Sequence, residues 1–127
     1  MAAASSEVVF PGAIYEPEVV QSLRLHCRFY LHGHRVGGTN PSLVEALGAG
    51  CAVVAHDNQF NRWVAGPSAS YFSDESSCAL LLDRLLKDDA VLETMKKGSL
   101  QRFHEAFTWT QILSEYEKLL TTWHPPI

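Results

Sequence analysis

Apolar positions fall into two rhythms along this chain. Short runs at Val8-Val9-Phe10, Arg28 to Leu31, Cys51 to Ala55 and Ala69 to Phe72 read as strands. Between them the spacing turns helical. Val19, Val20, Leu23 and Cys27 recur over Glu16 to His26, with Pro17 suited to a first turn. Leu43, Val44, Ala46 and Leu47 line one side of a helix that starts at Pro41 and ends at Gly48 or Gly50. A short helix over Gln59 to Ala65 is broken by Gly66-Pro67. The remainder is helical throughout. Ser73 or Asp74 caps a segment carrying Leu80, Leu81, Leu82, Leu85 and Leu86. Asp88-Asp89 caps a second, with Val91, Leu92 and Met95 facing in, and Thr108 caps a third from Trp109 to about Trp123, stopped by Pro125-Pro126. The apolar side of that last helix, with Ile112, Leu113, Tyr116, Leu119 and Leu120, reads as core or interface.

Strands alternating with helices imply parallel pairing and right-handed crossovers. The expected class is α/β, a partial Rossmann-like parallel sheet of about four strands flanked by helices, with a helical C-terminal segment. Residues 1–7 read as a disordered lead or a remnant outside the fold, and 8–127 as one domain. Ligands of open parallel sheets bind beyond the C-terminal strand ends. Three loops are expected there: Gly12-Ala13-Ile14, His32 to Asn40, and His56-Asp57-Asn58.

The middle loop carries the chemistry. His32-Gly33-His34-Arg35-Val36-Gly37-Gly38-Thr39 leads from a strand into Asn40-Pro41, an N-cap followed by proline at the first helical position. Gly37 and Gly38 permit close approach of a ligand to the backbone. The N–H groups of Ser42 and Leu43, expected to be free at the helix start, would favour an anion such as phosphate, and Thr39 and Ser42 add hydroxyls. Glu45, one turn in, is either a ligand for a vicinal diol or a surface carboxylate favoured by the helix dipole. Arg35 is either a partner for a diphosphate or a solvated arginine. His32 and His34 point the same way on an extended segment. They have no obvious third metal ligand, so hydrogen bonding or structure suits them better. His56 and Asp57 either approach a ligand or cap the next helix. No Gly-Lys-Ser/Thr follows, which excludes Walker A chemistry.

Composition narrows the classes. A net charge of −4 over 127 residues gives no general attraction to nucleic acid or anionic membranes. No apolar run nears the ~20 residues of a membrane span, and the N-terminus is not a signal peptide. Cys27, Cys51 and Cys78 are odd in number and widely spaced, which fits buried thiols in a reducing compartment; a cytoplasmic location is expected. No metal or other cofactor is implied by these spacings. A small phosphatase-like hydrolase lacks its nucleophile elbow or paired carboxylates.

Val9-Phe10-Pro11-Gly12, a helix, a strand, then Gly37 through Glu45-Ala46-Leu47-Gly48-Ala49-Gly50-Cys51-Ala52-Val53-Val54-Ala55, resemble the nucleotide-sugar-binding half of GT-B-fold retaining glycosyltransferases. Gly37-Gly38-Thr39-Asn40-Pro41-Ser42 with His32-Gly33-His34 is similar to the rhamnosyltransferase-like branch. The resemblance spans roughly residues 8 to 110 and is specific from Gly37 to Ala55. It implies that Glu45 binds the ribose hydroxyls and that the amides from Thr39 to Leu43 hold the diphosphate. It further implies that Gly12 and Ala13 lie near the base and that the sugar lies by Gly37 to Asn40. The donor implied is a nucleotide diphosphate sugar, dTDP- or UDP-linked.

The sequence departs from that pattern in three places. Gly37 stands where the family has its first glutamate, eight before Glu45. The two strands that open the family's domain, with a loop carrying a basic pair, are not found, nor is an acceptor domain. Two expectations follow: a homo-oligomer, or pairing with a separate acceptor-domain chain, covers the open sheet, and transfer needs that second part. A peripheral membrane acceptor is compatible with this arrangement, and no residue is assigned a catalytic role. The alternative is a non-catalytic oligomeric or protein-binding module derived from such an enzyme.

Overall fold

A computed structural model describes residues 4–123. Its elements are α1 (Pro17–His26), β1 (Tyr30–His32), α2 (Pro41–Gly48), β2 (Val53–His56), α3 (Gln59–Ala65), β3 (Ser70–Phe72), α4 (Glu75–Leu85), α5 (Asp89–Ala106) and α6 (Trp109–Thr122). The helix starts follow the sequence closely. Asn40, Asn58, Asp74, Asp88 and Thr108 each cap a helix, their side chains accepting from amides of the first turn. The proposed stop at Pro125-Pro126 lies outside the described residues.

The three strands form one parallel sheet in the order β1-β2-β3, with Tyr30 opposite Val53 and Val54 opposite Ser70. This is the expected α/β class with one strand fewer than expected. Val8-Val9-Phe10 is not a strand: all three side chains are exposed, and the local backbone bond is a turn from the Val8 N–H to the Ser5 carbonyl at 3.1 Å. A run of three apolar residues with no facing strand gains nothing from extended pairing, so the local turn prevails. Among the described residues β1 is therefore an edge, bonded only to β2.

β2 carries the core on both faces. Val53 and Ala55 pack with Leu43, Ala46 and Leu47 of α2 and with Val64 and Ala65 of α3. Ala52 and Val54 pack the other way, against Leu85 of α4 and Leu92 and Met95 of α5. That two-sided burial is why Cys51 to Ala55 reads as an unbroken apolar run. α5 reaches around to α2, where Phe103 lies against Gly48 closely enough that a Cβ on that glycine would sit 2.9 Å from the ring. Ser99 Oγ donates to the Cys51 carbonyl at 2.6 Å, fixing α5 to the start of β2. α2 is thus held along its length, and its N-terminus is fixed relative to the ends of β1 and β2.

Candidate functional site

The loop Gly33–Asn40 leaves the end of β1 and enters α2. Gly37 adopts φ +121°, a conformation that a side chain would strain. Nothing lies within 4 Å of the position a Cβ would take at Gly33, Gly37 or Gly38, so the loop faces open space.

The helix start differs from expectation in one respect. The amides of Ser42 and Leu43 are not free. Ser42 N–H donates to Asn40 Oδ1 at 3.0 Å, and Leu43 N–H donates to the Asn40 carbonyl at 3.1 Å. An asparagine cap satisfies the very donors that an anion would seek. The amides of Gly37, Gly38, Thr39 and Asn40, by contrast, have no acceptor among the described residues. Unbonded donors therefore lie in the loop, one step before the helix.

Two of the three expected loops meet. The buried Asn61 amide donates to the His34 and His56 carbonyls, both at 2.9 Å, and Asn58 Nδ2 donates to the same His34 carbonyl at 3.1 Å. Arg35 Nε donates across to His56 Nε2 at 3.3 Å. Asn61 thus clamps the loop after β1 to the loop after β2, a task that its place on the apolar side of a short helix did not suggest. Asp57 turns away to a two-bond pair with Arg62, whose guanidinium holds the carboxyl below its ordinary range. Gly12 stands apart from this group. The segment before α1 does not end a strand, and nothing lies within 4 Å of the place Gly12's Cβ would take.

Beneath the helix start lies a polar cluster that sequence reasoning missed in part. Arg24 of α1 pairs with Glu45, Nη2 to Oε2 at 2.6 Å, and lines with it a cleft of about 550 Å³ between α1 and α2. Arg24 reads as one more polar position on α1, and only the folded chain brings it to Glu45. Its own carbonyl accepts from the Cys27 and Cys51 thiols, each at 3.2 Å, so the cysteines hold the end of α1. Burial pushes the Cys51 thiol up to about 12, with Cys27 adding to the effect. Both cysteines are free thiols, as their spacing suggested. Tyr30 stands at the centre of the cluster. Burial raises its phenol, Arg24 opposes that shift, and Glu45 and the Ser42 hydroxyl also act on it. The Tyr30 hydroxyl lies 3.4 Å from His32 Nδ1, and the His32 ring is stacked on His34 with centroids 4.6 Å apart. Glu45 also borders a second cleft of about 740 Å³ with Thr39, Phe103, Phe107 and Trp109.

The arrangement offers unbonded loop amides ahead of α2 and, one turn inside that helix, a carboxylate paired with a guanidinium. A family model described as glycosyl transferase-like matches residues 5–118. The chain belongs to that family. No curated protein and no solved structure matches it. In this glycosyl transferase-like chain the matched stretch takes in every element from α1 to α5 and most of α6. Among the described residues no helix is long and apolar enough to cross a membrane.

Proposed function

We propose that this chain is the donor-binding domain of a sugar-nucleotide glycosyltransferase, of the GT-B retaining type and the rhamnosyltransferase-like branch. The observation that carries the reading is the glycine loop with unbonded amides leading into α2, with Glu45 one turn inside, in a glycosyl transferase-like chain. The diphosphate of a dTDP- or UDP-linked sugar lies against the amides of Gly37 to Asn40, with the α2 dipole behind them and Arg35 at the side. Asn40, Ser42 and Leu43 shape the helix start, and the Thr39 and Ser42 hydroxyls are within the same turn. Glu45, oriented by Arg24, takes the ribose diol through its carboxylate oxygens. Gly12 approaches the base only if the segment before α1 closes over the site. Sugar transfer requires an acceptor domain opposite this face. The open edge at β1, where Leu31 is 49% exposed, is covered by that chain or by a second copy.

Calorimetry with dTDP, UDP and GDP tests the reading. One of them should bind at sub-millimolar concentration, and Glu45→Ala should weaken it by about tenfold, the effect of losing a charge-assisted hydrogen bond. Absence of heat with all three at millimolar levels would overturn it. Light scattering at high micromolar protein tests the second copy, and a strict monomer removes that part alone.

A further inference from the structure

His32 is the most deeply buried titratable side chain at this site, with 1% of its surface exposed. Its Nε2 has no hydrogen-bond partner, alone among the buried side-chain nitrogens and oxygens of the described residues. Leaving such a group unpaired exacts its desolvation penalty with no hydrogen bond in return, so its presence calls for a reason.

Its position supplies one. Side chains alternate along a strand, so Tyr30 and His32 share the face of β1 that packs under α2. Tyr30 contacts the cluster containing Leu43 and Leu47 and has Ser42 beside its hydroxyl. His32 is one pleat nearer the strand's C-terminal end, the end from which the Gly33–Asn40 loop leads into the N-terminus of α2. The neighbouring hydroxyl bears on the tautomer. The Tyr30 phenol lies 3.4 Å from Nδ1, and where it donates there the imidazole proton rests on Nε2. Burial and the neighbouring His34 ring both favour a neutral ring over an imidazolium. In that tautomer the unpartnered atom is an N–H donor at the strand end from which a loop of unbonded amides leads into α2.

We infer that His32 is a ligand-binding residue: its Nε2–H donates to a phosphate oxygen of the diphosphate held at the start of α2, with the Tyr30 hydroxyl on Nδ1 fixing the donor tautomer. The inference rests on the donor-binding reading above. It adds a buried donor from beneath the loop to those on its surface, reached when the stacked His34 ring moves aside.

Long-range ¹H–¹⁵N spectra of the imidazoles test this directly. The free protein should show His32 with Nδ1 unprotonated and Nε2 protonated, and Tyr30→Phe should mix the tautomers. Saturating UDP, or pyrophosphate alone, should shift the His32 Nε2 resonance. In calorimetry His32→Phe should weaken UDP by about tenfold to a hundredfold, the range for a hydrogen bond to a charged group. His32→Gln, which places an amide donor near the same point, should recover most of it. The spectra of the unmutated chain stand even if His32→Phe does not fold. A Nε2 resonance unmoved by bound UDP, or unchanged UDP affinity in a folded His32→Phe, would overturn the inference and leave the donor-binding reading intact. A shift with a sugar nucleotide but not with UDP or pyrophosphate would place the donor on the sugar and overturn the phosphate assignment. Failure of every nucleotide and of pyrophosphate to bind would overturn both.

Discussion

α2 and α6 carry similar sequence signals and have opposite fates. Both are capped, both are amphipathic, and both place leucines at helical spacing. α2 has eight residues and buries Leu43, Ala46 and Leu47 completely. α6 has fourteen and buries none; Leu113, Tyr116, Leu119 and Leu120 all face outward, as does Trp123 just beyond it. The difference lies in the neighbours. α2 is enclosed by β2, α3 and α5, whereas α6 packs chiefly on α5. An apolar stripe says what a helix is able to bury and not whether anything stands opposite it. For the candidate site the contrast is useful: the loop and Glu45 are mounted on the enclosed helix.

The largest expected effect is on that enclosed side. Leu47→Ala removes a fully buried side chain from a core with little room to collapse and should cost about 2–5 kcal/mol. Urea unfolding followed by circular dichroism reads it. A cost under about 1 kcal/mol would mean that α2 is not the fixed mount described above.

The same contrast separates what could be read in the sequence from what could not. Caps were legible at Asn40, Asp74, Asp88 and Thr108 because these act within their own first turn, whereas α3 is capped by Asn58 and not by His56 or Asp57. β2 was legible because burial on both faces leaves an unbroken apolar run. Val8-Val9-Phe10 misled because a strand needs a partner that three residues do not specify. Ser42 and Leu43 misled for a finer reason: the asparagine that marks the helix start also occupies its amides. The Arg24–Glu45 pair joins residues 21 apart on separate helices, and the Asn61 clamp joins two loops; neither has a local signature. The glycine loop and Glu45 were legible as a candidate site, while Arg24, Tyr30 and Asn61 emerge only when the chain is folded.

A smaller effect should come with pH, and it should arise in the enclosed part. Burial lowers the His32 pKa below its ordinary 6.5, so the unfolded chain takes up a proton there more readily than the folded one. Stability from this group is complete above about 6.5 and falls as pH drops from that value through the folded pKa. Thermal melts from pH 7.5 down to 5 should show it, and His32→Gln should flatten that portion of the curve. An unchanged slope in the variant would assign the acid loss to other groups.

The smallest expected effect is at the other pole. Leu120 is 72% exposed, and truncating it removes little apolar surface from contact with this chain. Leu120→Ala should therefore change stability by no more than about 0.5 kcal/mol, as at ordinary surface positions. Here the informative variable is protein concentration. If a second copy covered the outer face of α6, folding would be linked to association, and the cost of the substitution would grow as the chain is concentrated. Unfolding curves at low and high micromolar protein distinguish the cases. Coincident curves at the two concentrations, for the unmutated chain and for Leu120→Ala, would show that α6 is unpaired by its own kind. A destabilisation above about 1 kcal/mol that appears only at high concentration would show that α6 is completed, as α2 is, by a surface that faces it.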